Sequence, residues 1–302
     1  VGEYLGATPI LVDIDSETLN LNLDQVEAIL ESDIENKIKA IIPVHFAGQP
    51  VDMMRLNSLA KQYNLFILDD AAHATESISN IGKVGNTKFA TAFSFYANKN
   101  ITTAGEGGAL ATNDTQLADK IRKLSLHGMS RDGWKRFKMG NKWSYDVSEL
   151  GYKYNLTDVA ASFGIEQLSN IQKWQKRRLE IVNKYNRGLK TIDGLILPYN
   201  ISQKNHARHL YIIQTVSRKW RINRNQLIEK LTENGIGIAV HYKPIHLHSY
   251  YVKKYGFKES DFPISKKTYE SSVSIPLYPA LSNSEIDYII DVLIGLWKKF
   301  KA

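Results

Sequence analysis

The 302-residue sequence contains no cysteine, which excludes disulfides, thiolate metal sites and a cysteine nucleophile. It has no run of eighteen apolar residues, so no helical membrane span is expected. No G-x-G-x-x-G follows the first strand pattern, which argues against a dinucleotide-dependent reductase or epimerase. Internal repeats and low-complexity tracts are also missing, and no DNA- or RNA-binding motif accompanies the formal net charge of +8. What remains is a soluble globular composition, 43% hydrophobic and 23% charged, in a chain long enough for two domains.

The basic residues are spread out, apart from small groups at 173–178 and 298–301. That pattern reads first as a solvated surface and second as attraction for an anionic substrate such as a nucleotide diphosphate; nucleic acid is not expected. From Pro9 to about Asn113, short apolar runs (PILVDI, IKAIIPVHF, LFILDDA, FATAFSF, GALATN) alternate with amphipathic stretches. Strands of that length separated by helices predict a mainly parallel, covered sheet, with ligands at the carboxyl ends of its strands. Around Asn155 the run N-L-T-D is a capping candidate for a long helix toward Leu189. After it come a strand (HLYIIQTV), a helix closed by Gly235, a strand (IGIAVHY) and a last helix from about Ser284 to Lys299. The expected architecture is α/β, a large domain over 1–168 and a smaller α+β domain over 169–302.

Within FSFYANKNITTAGEGGALATND, Lys99 sits between an apolar strand and a glycine turn. A lysine held away from water is one that forms Schiff bases. Asp69 and Asp70 end an earlier apolar run, FILDD, with His73 three positions on. Lysine, carboxylate and a polar ring are the parts of a pyridoxal phosphate site. Taken alone, the aspartate pair equally suits magnesium or a helix cap, and the glycine turn around Glu106 reads mainly as architecture. The histidines at 241, 246 and 248 fit no metal-binding pattern, so no metal is expected.

Ser94, Lys99 and GEGG, preceded by DDAAHA and followed by LGYKYNLTDVAASFGIEQL, resemble the DegT/StrS-type family of nucleotide-sugar aminotransferases, which are fold-type-I pyridoxal phosphate enzymes. The likeness extends in family order through LGATPILVDIDSETLNLN, IIPVHFAGQPVDM, LHGMSRD at 126–132, GIGIAVHYKPIHLHSYY and SIPLYPALSNSEIDYIIDVL. It implies that Lys99 carries the cofactor and moves the substrate proton, that Asp70 meets the pyridine nitrogen, and that Ser94 donates to the phosphate. It puts His73 near the ring and its phenolic oxygen and gives Asp69 no direct role. Lys153 or Asn155 is implied to reach the phosphate of a neighbouring subunit in a homodimer with shared sites; Asn155 reads almost equally as a helix cap. His241 and His246 belong to the segment that closes the substrate site, His246 being the stronger candidate for touching the sugar nucleotide.

The implied reaction takes an amino group from glutamate to a nucleotide-linked keto sugar, in a cytoplasmic enzyme of amino-sugar and polysaccharide biosynthesis. The chain opens at Val1 and enters a strand pattern at once, so it is expected to begin inside a domain. The family's second phosphate contact, a small-residue turn before that strand, lies ahead of it, and without that turn weak cofactor binding is expected. Two rivals from the same family are a dehydratase that uses pyridoxamine phosphate, against which Lys99 argues because those relatives carry histidine there, and a non-catalytic regulatory relative.

Overall fold

The computed structural model describes residues 1–129 and 146–302. Residues 130–132 of the LHGMSRD segment lie outside them. The first core forms where helices Leu23–Ser32 and Met53–Gln62 lay their apolar stripes on a sheet. Asn22 starts the first helix by accepting hydrogen bonds from the Asp24 and Gln25 N–H groups, and Asp52 starts the second through the Arg55 N–H. The stripes are Leu23, Val26 and Leu30 on one helix and Met53, Leu56, Leu59 and Ala60 on the other, all buried together with Ile41 and Ile67 of the sheet. Each of these side chains except that of Ala60 contributes roughly 1.5–3 kcal/mol by leaving water.

The sheet consists of β1 (Ala40–Ile41), β2 (Phe66–Asp70), β5 (Ala90–Ser94) and β6 (Gly108–Ala111), in the order β1-β2-β5-β6. The short hairpin β3 (Ile78–Ser79) and β4 (Gly82–Lys83) stands apart from it. β1 and β2 run parallel, as do β2 and β5, with Leu68 opposite Ala90 and Asp70 opposite Ala92; β6 returns antiparallel to β5. The mixed α/β fold with a parallel-dominated sheet is thus the expected one. PILVDI differs from expectation. It forms no ladder, and Ile14 makes a single bridge to Leu21. Its Asp13 instead accepts from the Ile264 and Ser265 N–H groups and the Ser265 hydroxyl, which ties this segment to the second half of the chain.

The second core gathers around helix Asp158–Leu189, helix Asn283–Phe300 and an antiparallel sheet of β7 (Leu195–Ile196), β8 (Tyr211–Thr215) and β9 (Ser272–Ile275). Ile181, Val182, Tyr185 and Leu189 of the long helix meet Tyr211, Ile213, Val273, Ile286 and Leu293 there. The expected strand IGIAVHY contributes one bridge, Ala239 to Ser274, because its following residues turn away toward the first sheet. The cap of the long helix is Thr157, whose hydroxyl accepts from the Ala160 N–H; Asn155 does not cap it. Apolar side chains along this helix change from exposed (Phe163, Ile165, Leu168) to buried at Ile171, and we propose the division into 1–168 and 169–302 at that change.

The two long helices cross at Gly188, where an added Cβ would lie 2.6 Å from Ile290 Cγ2 and 2.8 Å from its Cδ1. Alanine in a helix gains about 1 kcal/mol over glycine, but overpacking a buried β-branched neighbour costs about 1–3 kcal/mol. Gly188→Ala is therefore expected to lower the unfolding free energy by about 1 kcal/mol in urea melts, and to raise it in an Ile290→Ala background. Stabilisation by Gly188→Ala alone contradicts this packing.

Candidate active site

Alternation along β2 sends its last two aspartates to opposite faces. Asp69 turns inward, 2% exposed, and one oxygen accepts from the Thr91 hydroxyl at 2.8 Å. Its other oxygen is buried without a partner among the described residues. Asp70 turns to the opposite face, half-buried, where one oxygen accepts from the Ala72 N–H at 3.0 Å. Ser94 ends the neighbouring strand, and its hydroxyl oxygen accepts from the Tyr96 N–H at 3.3 Å.

Lys99 follows on a turn closed by its own N–H donating to the Tyr96 carbonyl at 3.0 Å. The GEGG segment runs alongside, Gly105 bridging Tyr96 and the Gly107 carbonyl accepting from the Phe95 N–H at 2.8 Å. A Cβ on Gly107 would meet the Thr103 hydroxyl at 2.1 Å and one on Gly108 would meet the Phe93 carbonyl oxygen at 2.7 Å, so only glycine allows this approach. Glu106 takes part through its carbonyl, which accepts from the Thr103 hydroxyl. Partial burial lowers the Lys99 amine pKa below the ordinary lysine value, and the nearby Asp70 charge opposes that shift.

His73 returns over the same end of the sheet and is buried. Its Nδ1 accepts from the Ala47 N–H at 3.2 Å and its Nε2 faces the Tyr242 hydroxyl at 3.3 Å, so the proton sits on Nε2. Burial first, then the charges of Lys99 and His241, push its pKa down to about 3, which keeps the ring neutral. Phe46, His73 and Tyr242 form an aromatic wall with ring centroids 6.0–6.4 Å apart. His241 joins them, its Nδ1 2.7 Å from the Ser274 hydroxyl and its pKa lowered by burial and by Lys99.

The structure thus brings Asp70, His73, Lys99 and His241 into one electrostatic group, and Ser94 ends the strand that pairs with that of Asp70. Two other expectations lie elsewhere. His246 is buried against Phe262, 4.8 Å between ring centroids, and the charges that act on it are Asp13, Asp261 and Glu259. Lys153 and Asn155 are exposed and bonded to each other, Nζ to Oδ1 at 2.5 Å. Tyr242, Phe46 and His209 enter the group without having been singled out by the sequence pattern. A cavity of about 430 Å³ between Thr18, Ala47, Tyr199 and His206 is lined by Phe46 but by none of Asp70, His73, Lys99 and His241.

These residues fit pyridoxal phosphate. An amine with lowered proton affinity lies near a carboxylate that keeps lone pairs beyond its single backbone contact, with the stacked His73 and Tyr242 rings beside them and the Ser94 hydroxyl at the end of the adjacent strand. Residues 3–294 match the DegT/DnrJ/EryC1/StrS aminotransferase family. The chain belongs to that family. It is 44% identical over 296 residues to the spore coat polysaccharide biosynthesis protein SpsC of Bacillus subtilis, covering 98% of this chain and 75% of SpsC. Among solved structures, Spr1654 of Streptococcus pneumoniae, described as a sugar aminotransferase and solved in a pyridoxal phosphate form, superposes with a TM-score of 0.84 at 32% identity. That likeness covers 99% of this chain and 77% of Spr1654. PseC of Helicobacter pylori, an aminotransferase involved in the biosynthesis of pseudoaminic acid, gives a TM-score of 0.86 at 28% identity over 99% of this chain and 76% of PseC. This member of the DegT/DnrJ/EryC1/StrS family is a pyridoxal phosphate-dependent aminotransferase of fold type I.

Asp69 gives this family member a pH signature separate from catalysis. Burial raises its pKa from 3.8 to about 6, against the opposing Thr91 hydrogen bond. The folded state therefore holds a proton that the unfolded chain releases between 3.8 and about 6, and this contribution to stability is lost as pH rises through that window. Asp69→Asn is expected to remove it, so that the variant gains on the wild type in urea-melt stability between those pH values. Parallel curves for the two proteins contradict the assignment.

Proposed function

We propose that the enzyme transfers an amino group from glutamate to the keto group of a nucleotide-linked sugar, making an amino sugar for a polysaccharide or secondary metabolite. The observation that carries this reading is the convergence of Asp70, at the end of β2, and Lys99, beyond the end of the adjacent parallel β5, beside the neutral His73. Support for a sugar comes from the relatives, one described by spore coat polysaccharide biosynthesis and one by pseudoaminic acid biosynthesis. A net charge of +8 suits a substrate that carries a diphosphate. We take the reaction to run in the cytoplasm; among the described residues no helix is long and apolar enough to cross a membrane.

When bound, pyridoxal phosphate supplies an electron sink for the charge left as a substrate carbon loses its proton. Lys99 holds the cofactor covalently and, once released, moves the proton at that carbon. Lowered proton affinity serves both tasks, because the neutral amine is the form that attacks a carbonyl and accepts a proton. Asp70 offers a carboxylate oxygen to the protonated pyridine nitrogen, and the Ser94 hydroxyl donates to a phosphate oxygen. His73 supplies its Nε2–H beside the ring. His241 closes the sugar side, while His246, set apart against Phe262, keeps an Nε2 that has no partner among the described residues.

The homodimer reading rests on an exposed apolar surface next to the Lys153–Asn155 pair. Leu150 is 95% exposed, Tyr154 75%, Val159 71% and Ile165 72%, far more than solvent exposure alone favours. Burying that surface against a second copy brings the Lys153 ammonium and the Asn155 amide toward the phosphate of the neighbouring site, where each hydrogen bond to a charged group contributes about 1.5–3 kcal/mol.

Lys99→Ala is expected to lower turnover by more than about 1,000-fold with an unchanged circular dichroism spectrum, and to remove the visible band of the lysine-bound cofactor. In the wild-type protein, glutamate bleaches that band; a wild-type protein without it contradicts the aminotransferase reading. A second test uses the shared site. Lys153→Ala/Asn155→Ala is expected to weaken cofactor binding by about tenfold or more, and mixing it with Lys99→Ala restores activity through mixed dimers. Mixtures no more active than their components contradict a shared site.

A further inference from the structure

His209 belongs to the loop that leads into β8, and it is only 5% exposed. Its ring lies against that of His73, with centroids 4.3 Å apart and planes 36° apart. On its other side its Nδ1 lies 3.0 Å from Asn100 Oδ1, and Asn100 follows Lys99 directly in the chain. The Asn100 amide nitrogen donates to the Ala207 carbonyl at 2.8 Å, which fixes the orientation of that amide. Its Oδ1 can only accept, so His209 carries its proton on Nδ1.

The backbone repeats the connection. The His209 N–H donates to the Ala47 carbonyl at 3.0 Å, and the Ala47 N–H donates to His73 Nδ1 at 3.2 Å. Three segments far apart in sequence, those carrying His73, Lys99 and β8, therefore meet at one imidazole. An apolar ring of the same size would fill the space but leave Asn100 Oδ1 without its donor, at a cost of about 1–3 kcal/mol.

We propose that His209 is a positioning residue that fixes the plane of the His73 ring, whose tautomer the Ala47 N–H and the Tyr242 hydroxyl set, and ties that ring to the turn carrying Lys99. The proposal rests on the reading of Lys99 and His73 as the cofactor's neighbours. The groups acting on His209 are His73, Lys99, Arg178 and His241, with no carboxylate among them. Those on His73 are Lys99 and His241, together with the Tyr242 hydroxyl that faces its Nε2. Both rings are thus held neutral by burial and by neighbouring cations, and each nitrogen of the connection has one role, donor or acceptor.

The test is nuclear magnetic resonance of 15N-histidine-labelled protein with and without pyridoxal phosphate, alongside the dissociation constant of the cofactor. Wild type is expected to hold His209 as the Nδ1–H tautomer and His73 as the Nε2–H tautomer, neither titrating between about pH 5 and pH 8. In His209→Ala, His73 is expected to titrate between about pH 5 and pH 7 and the cofactor to bind about tenfold more weakly. His209→Asn, which keeps a donor toward Asn100 but not the ring, is expected to recover most of that affinity while His73 still titrates.

A charged or Nε2–H His209 in the wild type overturns the proposal, even if His209→Ala fails to fold. So does an unchanged His73 titration together with unchanged affinity in a folded His209→Ala variant. A wild type with both tautomers as stated that binds no pyridoxal phosphate sinks the functional reading instead, leaving the histidine connection itself supported.

Discussion

The parallel register of β2 on β5, with Asp70 opposite Ala92, is the constraint on which the site depends. Both strands end at one edge, so the loops leaving them deliver His73 and the Lys99 turn to the same place. Register also decides which aspartate faces that place. A slip of one residue would turn Asp70 into the helix-covered core and bring Asp69 out. The hydrogen bond from the buried Thr91 hydroxyl to Asp69 holds the pair in its present setting, so the inward carboxylate supports the outward one through strand alternation.

Around that edge the electrostatics reinforce each other. Burial weakens the hold of Lys99 on its proton, Asp70 counters that effect, and burial, reinforced by the positive charge of the lysine, lowers the proton affinity of three neighbouring histidines, His73, His209 and His241. Neutral imidazoles have fixed donor and acceptor nitrogens, which is what allows His73 to accept from the Ala47 N–H and present Nε2–H on its other side. Both cores contribute. The first supplies Asp70, His73, Ser94 and Lys99, and the second sends His209, His241 and Tyr242 across to meet them.

The chemistry-bearing residues of the first half were legible because they stand next to apolar runs that form the sheet: FILDD and ATAFS became β2 and β5 with the reactive groups at their ends. The last helix was legible too, since its Ser282–Glu285 capping box and apolar period are local. Contacts across the chain were not. His73 meets Tyr242 across 169 positions and Asn100 meets His209 across 109, and no spacing rule connects such pairs. PILVDI and IGIAVHY have strand-like alternation but lack a partner for more than one bridge, which their sequences do not reveal. The cap at Thr157 was misread by two positions because Asn155 is the better capping residue by type, yet its side chain is taken up by Lys153.

The central claim is that one lysine, Lys99, holds the cofactor at the edge set by β2 and β5. Borohydride reduction of the cofactor-loaded protein, followed by proteolysis and mass spectrometry, locates the covalent attachment directly. The account predicts a single pyridoxyl-modified peptide containing Lys99. A modification on another lysine, with Lys99 recovered unmodified, would contradict it.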